Sequence, residues 1–429
     1  MVIKKITVID QDVYYEKLAN GLDVYLIPSV NHKNYYVNLV TYYGSNDLEY
    51  KSINKDKFVK SPLGTAHFLE HKVFEMADGS DPFKFFSESG TDVNAGTSYH
   101  TTKYYMWGTK ELKKNLNYFL EMVFNPHFTE KNISKERGII SEEIKMYDDD
   151  PVWQLEDCSR NNLFYNLHIK DKIAGTVDSI MEINEENLYD AYNTFYQSNN
   201  MALVIGGNFD PNDIISVVKN NEALAKRTTN KSIVRKEIEE PNEVPCKYQV
   251  LEGNIVIPKM KYSFKIKKDL FTLPNDIAIN LYLNCIFSTL FGTSSIFNEK
   301  VYHDKLTTGY YYEYSYHKEY YILSIEAETS EPELFKALVM ETLNNIEVTE
   351  QDLMRHKRMW LASEIRISDR IDSLVNSFIE DLVIYHKPYY DRLDIIKNLS
   401  YEDLLLTIKE LNFDNSSMVL MIPKNKDFN

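Results

Sequence analysis

The sequence predicts an α+β protein built of two related halves, and three observations predict it. Runs rich in β-branched and aromatic residues occur beside runs whose apolar residues recur at helical spacing. Thr129-Glu130-Lys131-Asn132-Ile133-Ser134-Lys135 can be laid against Thr349-Glu350-Gln351-Asp352-Leu353-Met354-Arg355, and Asn200-Met201-Ala202-Leu203-Val204-Ile205 against Ser417-Met418-Val419-Leu420-Met421-Ile422. The shifts are 220 (349 − 129) and 217 (417 − 200), and two matches at nearly one shift indicate an internal duplication. Finally, the polar stretch from Lys226 to Pro245 reads as a linker,. The expected halves are residues 1–228 and 246–429, joined by 229–245.

Taken in order, Lys17 to Pro28 reads as two short strands around the Asn20-Gly21 turn, and Tyr35 to Tyr43 as a third,. A helix follows Pro62 and Gly64, and another spans Asp81 to Ser89 before Gly90,. Thr91 to Trp107, rich in Thr and Tyr, reads as one or two strands,. Leu112, Leu116, Phe119, Leu120 and Val123 mark a helix closed by Pro126,. Thr129 is the expected N-cap of a further helix reaching about Tyr147, with Ile133, Ile139, Ile140 and Ile144 as its apolar face,. Asp148-Asp149-Asp150-Pro151 reads as a helix end and turn without chemistry.

The 429 residues are 43% hydrophobic and 13% aromatic, a globular composition long enough for two to three domains,. A formal net charge of −16, with no basic block, argues against nucleic acid as a partner,. Cys158, Cys246 and Cys285 are odd in number and widely spaced, so a reducing compartment is expected and no disulfide framework is,. The N-terminus has no apolar core of signal-peptide length,. The longest apolar run, around Leu281 to Phe291, is broken by Asn284, Ser288 and Thr289, too short and polar to span a bilayer,. A cytoplasmic protein without membrane partners is the expectation.

Chemistry concentrates in Gly64-Thr65-Ala66-His67-Phe68-Leu69-Glu70-His71-Lys72-Val73-Phe74. Two histidines four apart on a helix share a face, so both imidazoles can reach one tetrahedral cation. Glu70 can point into the same space, giving the His-x-x-Glu-His inverzincin pattern. The competing reading is a solvated helix face. Against it, Ala66, Phe68, Leu69, Val73 and Phe74 surround the polar residues, and burying them without a partner would be costly. A hydrolytic zinc site needs a third ligand and a base beside its water. Glu136 and Glu143, two turns apart on the later helix, are the candidates, and the spacing does not choose between them. At the duplication shift the zinc helix falls near Phe287 to Phe291 and Glu136 becomes His356. One half is equipped for chemistry and the other is a wall.

These segments, with Asn94-Ala95, Glu136-Arg137-Gly138-Ile139-Ile140-Ser141-Glu142-Glu143-Ile144 and Asn199-Asn200-Met201-Ala202-Leu203-Val204, resemble the insulinase/pitrilysin (M16) family of zinc peptidases over nearly the whole chain. Within it, His67-Phe68-Leu69-Glu70-His71-Lys72 and Glu143-Ile144-Lys145-Met146-Tyr147-Asp148-Asp149 are similar to a bacterial processing-peptidase-like subgroup, named for an association with elongation-factor-P modification. The resemblance implies two α+β halves, each an antiparallel sheet with helices on one face. It implies Zn2+ held by His67, His71 and Glu143, with Glu70 as general base and Glu136 as a supporting acid needed for activity. Asn94 and Ala95 would lie on the edge strand that receives a peptide substrate. A second copy or a related subunit would complete a closed chamber, as a homodimer or heterodimer. The family's usual second-half Arg is missing from Gly292-Thr293-Ser294-Ser295-Ile296-Phe297, and Tyr310 and Tyr311 are the nearby candidates for substrate contact.

The remaining histidines, His32, His100, His127, His168, His303, His317, His356 and His386, show no ligand spacing and read as structural or surface groups. The functional expectation is a zinc endopeptidase cleaving short or unfolded peptides bound by strand addition. The alternative is a non-catalytic scaffold of a peptide- or translation-factor-modification pathway with a relic zinc site.

Overall fold

Period-two patterning builds the strands and 3.6-residue patterning the helices of a computed structural model that describes residues 1–227, 232–317 and 319–424. Residues 228–231, where the expected linker begins, and 425–429, the end of the expected second half, lie outside the described residues. The chain forms two compact units. The first comprises Met1–Lys145, Asp171–Glu237 and Ser363–Arg392; the second comprises Met146–Lys170, Ile238–Ala362 and Leu393–Asn429. A single cut at 229–245 therefore does not separate them: 146–170 and 363–392 each belong with the other half's sheet.

In chain order the first unit opens with strands β1 (Val2–Ile6), β2 (Gln11–Lys17), β3 (Asp23–Pro28) and β4 (Tyr35–Thr41), then the ribbon β5 (Glu49–Lys51) and β6 (Phe58–Lys60). Helices α1 (Thr65–Val73) and α2 (Pro82–Glu88) precede the hairpin β7 (Asp92–Thr97) and β8 (Thr102–Gly108), so Thr91 to Trp107 is two strands. Then come α3 (Leu112–Phe124) and α4 (Glu130–Asp149). Asp150 caps the next helix, accepting from Val152 N at 2.8 Å; this is α5 (Pro151–Leu163), in the second unit. The chain returns through α6 (Val177–Met181), α7 (Glu185–Phe195), β9 (Met201–Gly207), α8 (Pro211–Asn220) and α9 (Glu222–Ala225). The sheet order is β1-β2-β3-β9-β4-β8-β7, antiparallel except for the parallel pair β3 and β9. β7 is therefore an edge strand.

The second unit holds β10 (Tyr248–Gly253), β11 (Lys259–Lys267), α10 (Asp276–Phe291), α11 (Ile296–His303), β12 (Gly309–His317), β13 (Tyr320–Glu328), α12 (Pro332–Asn344) and α13 (Glu350–Arg366). After α14 (Ile371–Tyr385), which lies in the first unit, the chain ends through α15 (Arg392–Asn398), α16 (Tyr401–Glu410) and β14 (Ser416–Pro423). The sheet order β10-β14-β11-β13-β12 repeats β3-β9-β4-β8-β7 strand for strand, including one parallel pair at the same place. The duplication seen in two short matches extends to the topology. Asp276–His303 is long and apolar enough to cross a membrane by length and composition alone, with a mean hydropathy of 1.3 in its best window. It is two helices, and Tyr282, Leu283, Ile286, Phe287 and Phe291 lie in the second unit's core.

Both sheets carry their main helical layer on one face and one further helix on the other. In the first unit β4 sends Tyr35, Val37 and Leu39 into the large core, and Tyr36 and Val40 to the opposite side. There α14 covers them with Ile371, Val375, Phe378 and Ile379. In the second unit α5 places Leu155 against Val419 and Met421. Central strands apolar on both faces need cover on both, and the exchanged segments supply it.

The stretch expected to be linker is anchored where it enters the second unit. Lys265 Nζ lies 2.7 Å from Glu240 Oε1, with both side chains fully buried. Glu240 also accepts hydrogen bonds from the backbone N–H groups of Tyr165, Asn166 and Leu167 at 2.9, 2.7 and 2.9 Å.

Candidate metal centre

Helix α1 is seated by its first residues. Gly64 has φ of +85°, a left-handed conformation that favours glycine, and a Cβ there would collide with the Ala174 carbonyl oxygen,. Thr65 Oγ1 donates to Pro62 O at 2.7 Å. Ala66, Phe68, Leu69 and Val73 are buried in the first unit's core, which fixes the roll of the helix. His67, Glu70 and His71 consequently share its other face.

Helix α4 brings the acids. Thr129 Oγ1 accepts from Asn132 N at 3.3 Å while Asn132 Oδ1 accepts from Thr129 N at 2.8 Å, a reciprocal cap that fixes where the helix starts,. Ile133, Glu136, Ile140 and Ile144 are buried, but Ile139, expected on the apolar face, is 48% exposed. At about 100° per residue it sits roughly 100° from the centre of the row formed by 133, 136, 140 and 144.

Together the two helices give the carboxylates separate places. Glu143 Oε1 is 3.7 Å from His67 Nε2, and its Oε2 is 3.8 Å from His71 Nε2. One ligand atom from each of the three residues lies within 4.8 Å of the others. These separations are too long for hydrogen bonds. They are close to the roughly 3.4 Å expected between two ligands on a tetrahedral ion with bonds of about 2.1 Å. Glu136, by contrast, places Oε1 3.0 Å from His71 Nδ1. That contact assigns the proton to Nδ1 and leaves Nε2 as the atom facing Glu143. Two neutral imidazoles and a carboxylate, one imidazole oriented by a second carboxylate, fit a zinc ion.

The electrostatics agree with this division. Burial, and then the neighbouring His71, pushes the His67 imidazole down to about 3, so it is neutral without a metal. Its Nδ1 is buried and has no hydrogen-bond partner among the described residues. Burial also opposes charge on His71, but the hydrogen bond and charge of Glu136, then the charges of Glu70 and Glu143, outweigh it and raise its pKa. For Glu136, burial is outweighed by the hydrogen bond to His71 and the charge of Lys72, and the carboxyl ends below its ordinary range. Burial raises Glu70, only partly offset by the hydrogen bond from Thr97.

Two residues not singled out in the sequence touch this set. Thr97 Oγ1 donates to Glu70 Oε2 at 2.5 Å. Lys72 is wholly buried, with Nζ 3.2 Å from Asn132 O, 2.6 Å from Glu75 Oε1 and 3.5 Å from Glu136 Oε2. The signal for Lys72 was its position between Leu69 and Val73, with Phe68 one turn back, all core residues. For Thr97 it was the alternation Val93, Ala95, Thr97 along one face of β7.

Asn94 is exposed on that edge strand, its Oδ1 accepting from Ala95 N at 2.8 Å, while Ala95 packs against the core. Tyr310 and Tyr311 stand on β12, the edge strand of the second unit's sheet. Tyr310 donates its hydroxyl to Phe291 O at 2.9 Å and packs on Phe297, whereas Tyr311 is 63% exposed. Where the first unit has Glu136, the second has buried His356, with Nδ1 2.9 Å from Asp352 O and 3.6 Å from Cys285 Sγ. Among the described residues, His67, His71 and Glu143 are the one group of histidine, cysteine or acidic side chains spaced to hold a metal.

Comparison with known proteins follows the same lines. Residues 60–177 match the model described as Insulinase (Peptidase family M16), and residues 182–359 match that of the Peptidase M16 inactive domain. The chain is 32% identical over 430 residues to a Bacillus subtilis protein named uncharacterized zinc protease YmfH, covering 97% of this chain and 98% of that one. Its fold superposes on an M16-like peptidase from Alicyclobacillus acidocaldarius with a TM-score of 0.87 and 26% identity, over 96% of this chain and 99% of the other. On pitrilysin the TM-score is 0.76 at 15% identity, over 97% of this chain but 45% of that one, which shows the shared fold.

Proposed function

The chain belongs to peptidase family M16, the insulinase family, and on that premise we propose that it is a zinc-dependent endopeptidase whose centre is His67, His71 and Glu143. The observation that carries the reading is the convergence of three ligand atoms from α1 and α4 within 4.8 Å, with Glu136 on His71 Nδ1 and a buried carboxyl, Glu70, on the same helix face. Zinc, when bound, supplies Lewis acidity towards the scissile carbonyl and the attacking water.

The rest is done by side chains. His71 is held in one tautomer by Glu136, so Nε2 is ready to ligate without a change of protonation on the ring's far side. Glu70 accepts the proton of the water and returns it to the departing amine. With Oε2 engaged by Thr97, Oε1 is the atom assigned to that proton. Burial raises the carboxyl towards the range where a general base works near neutral pH,. The peptide adds as a strand to the exposed edge of β7, the strand that carries Asn94 and Ala95. Tyr311, being exposed on β12, is the better of the two tyrosines for substrate contact. The pitrilysin chain is about twice as long as this one, which favours a second copy or a related subunit completing a closed chamber.

One experiment tests the core of this reading. Purified protein should carry about one zinc per chain and cleave members of an unbiased peptide library, alone or mixed with a related subunit. Zinc bound with no cleavage of any peptide in either setting would replace the peptidase by a scaffold with a relic metal site.

A further inference from the structure

The catalytic helix carries a cation that the peptidase chemistry does not use. Lys72 follows the ligand His71 directly, and its side chain is completely buried. Its ammonium reaches across to α4, donating to Asn132 O at 3.2 Å and lying 3.5 Å from Glu136 Oε2. Glu75 Oε1, just past the end of α1, is 2.6 Å away. Glu136 therefore has both oxygens assigned by neighbouring residues of α1: Oε1 to His71 Nδ1 and Oε2 to Lys72 Nζ.

We propose that Lys72 is a positioning residue of the metal centre, fixing the Glu136 carboxylate so that it holds His71 for the ion. The inference rests on the peptidase reading's assignment of His71 as a ligand. A carboxylate with one oxygen buried beside apolar side chains and no counter-charge is unfavourable. Without Lys72, Glu136 Oε2 has lost the cation that holds it, and the carboxylate is free to turn towards another partner. That takes the acceptor away from His71 Nδ1, and the imidazole loses its orientation at Nε2. Loss of an outer partner of this kind typically weakens metal binding about 10- to 100-fold. Lys72 would act only through Glu136, so the two residues form one device rather than two contributions.

The test is the zinc dissociation constant, measured by competition with a chromophoric chelator, for the full-length chain and for Lys72→Met, Glu136→Gln and the double variant. Each single variant should bind zinc about tenfold more weakly or worse. The double variant should match Glu136→Gln within about twofold, because the second change removes a group whose target is already gone. Additive losses in the double variant would overturn the proposal, as would Lys72→Met binding zinc like the parent. If Lys72→Met alone does not fold, the double variant, which leaves no unpaired buried charge, still decides by comparison with Glu136→Gln. A parent protein that binds no zinc through His67 and His71 would instead sink the peptidase reading, so the two failures are distinct.

Discussion

His71 Nδ1 lies 3.0 Å from Glu136 Oε1, and on the other side of the ring His71 Nε2 lies 3.8 Å from Glu143 Oε2. Two acids seven residues apart on one helix thus meet the two nitrogens of one imidazole, and Glu143 also lies 3.7 Å from His67 Nε2. The consequences can be measured.

Glu70→Gln keeps the size and packing of the side chain but cannot take a proton. Peptide cleavage should fall about 10²- to 10⁴-fold while zinc content stays at the parent level. Metal analysis and turnover on the same preparation check both halves; undiminished turnover removes Glu70 as the base.

Glu143→Gln removes the anionic member of the ligand set. Zinc should be lost on dialysis against a mild chelator that leaves the parent loaded, and cleavage should go with it. Retention of zinc by this variant would mean the third ligand lies elsewhere.

Thr97→Val deletes the hydroxyl that holds Glu70 Oε2 while keeping the β-branched shape suited to β7. A hydrogen bond to a charged group is worth about 1.5–3 kcal/mol, and each 1.4 kcal/mol or so is tenfold in rate. kcat/KM should drop about tenfold or more, with zinc affinity unchanged and Thr97→Ser near the parent.

Zinc should also stabilise the first unit, because it binds the folded site and relieves the clustering of Glu70, Glu136 and Glu143. At a free concentration a hundredfold above its Kd the gain is about 2.7 kcal/mol. Calorimetry with and without chelator should show a transition moving upward by several degrees on zinc addition; a transition insensitive to zinc would contradict a site formed only in the folded state.

The Glu240–Lys265 pair makes a prediction far from any chemistry. Burial opposes the charged carboxylate, but Lys265 and three backbone N–H groups overcome it and hold the Glu240 pKa below its ordinary value. A carboxyl depressed on folding stabilises the protein above its unfolded pKa, about 4.3, and that contribution is lost as pH falls through the folded value. Glu240→Gln should therefore cost about 3–5 kcal/mol at neutral pH, and the gap to the parent should narrow below about pH 4. Urea titrations at pH 7 and in the acid range would read it. A gap that stays constant with pH would show that charge is not the cause.

Much of the site was legible from spacing. His67, Glu70 and His71 share a helix face because 3.6 residues make a turn, and local sequence is enough to say so. Spacing named Glu136 and Glu143 as candidates without telling them apart, since both lie on nearly one side of α4; the family resemblance alone assigned Glu143 to the metal. Their different places follow from where α4 packs against α1. Thr97 was readable only as a strand residue until β7 was seen beside α1. Lys72 carried a weak signal, a charge among core residues, whose meaning depended on α4.

The sequence by itself determined the metal motif, the duplication at a shift near 220 and most element positions, because periodicity, capping and turn chemistry act over a few residues. The tertiary structure alone decided which acid stands beside His67 and His71 Nε2 and which meets His71 Nδ1, what Lys72 and Thr97 touch, and that α5 and α14 cover sheets built by the other half of the chain. Those are contacts between residues tens to hundreds of positions apart. They are fixed by which apolar faces must be covered when the core closes, and that is a property of the assembled layers rather than of any local stretch.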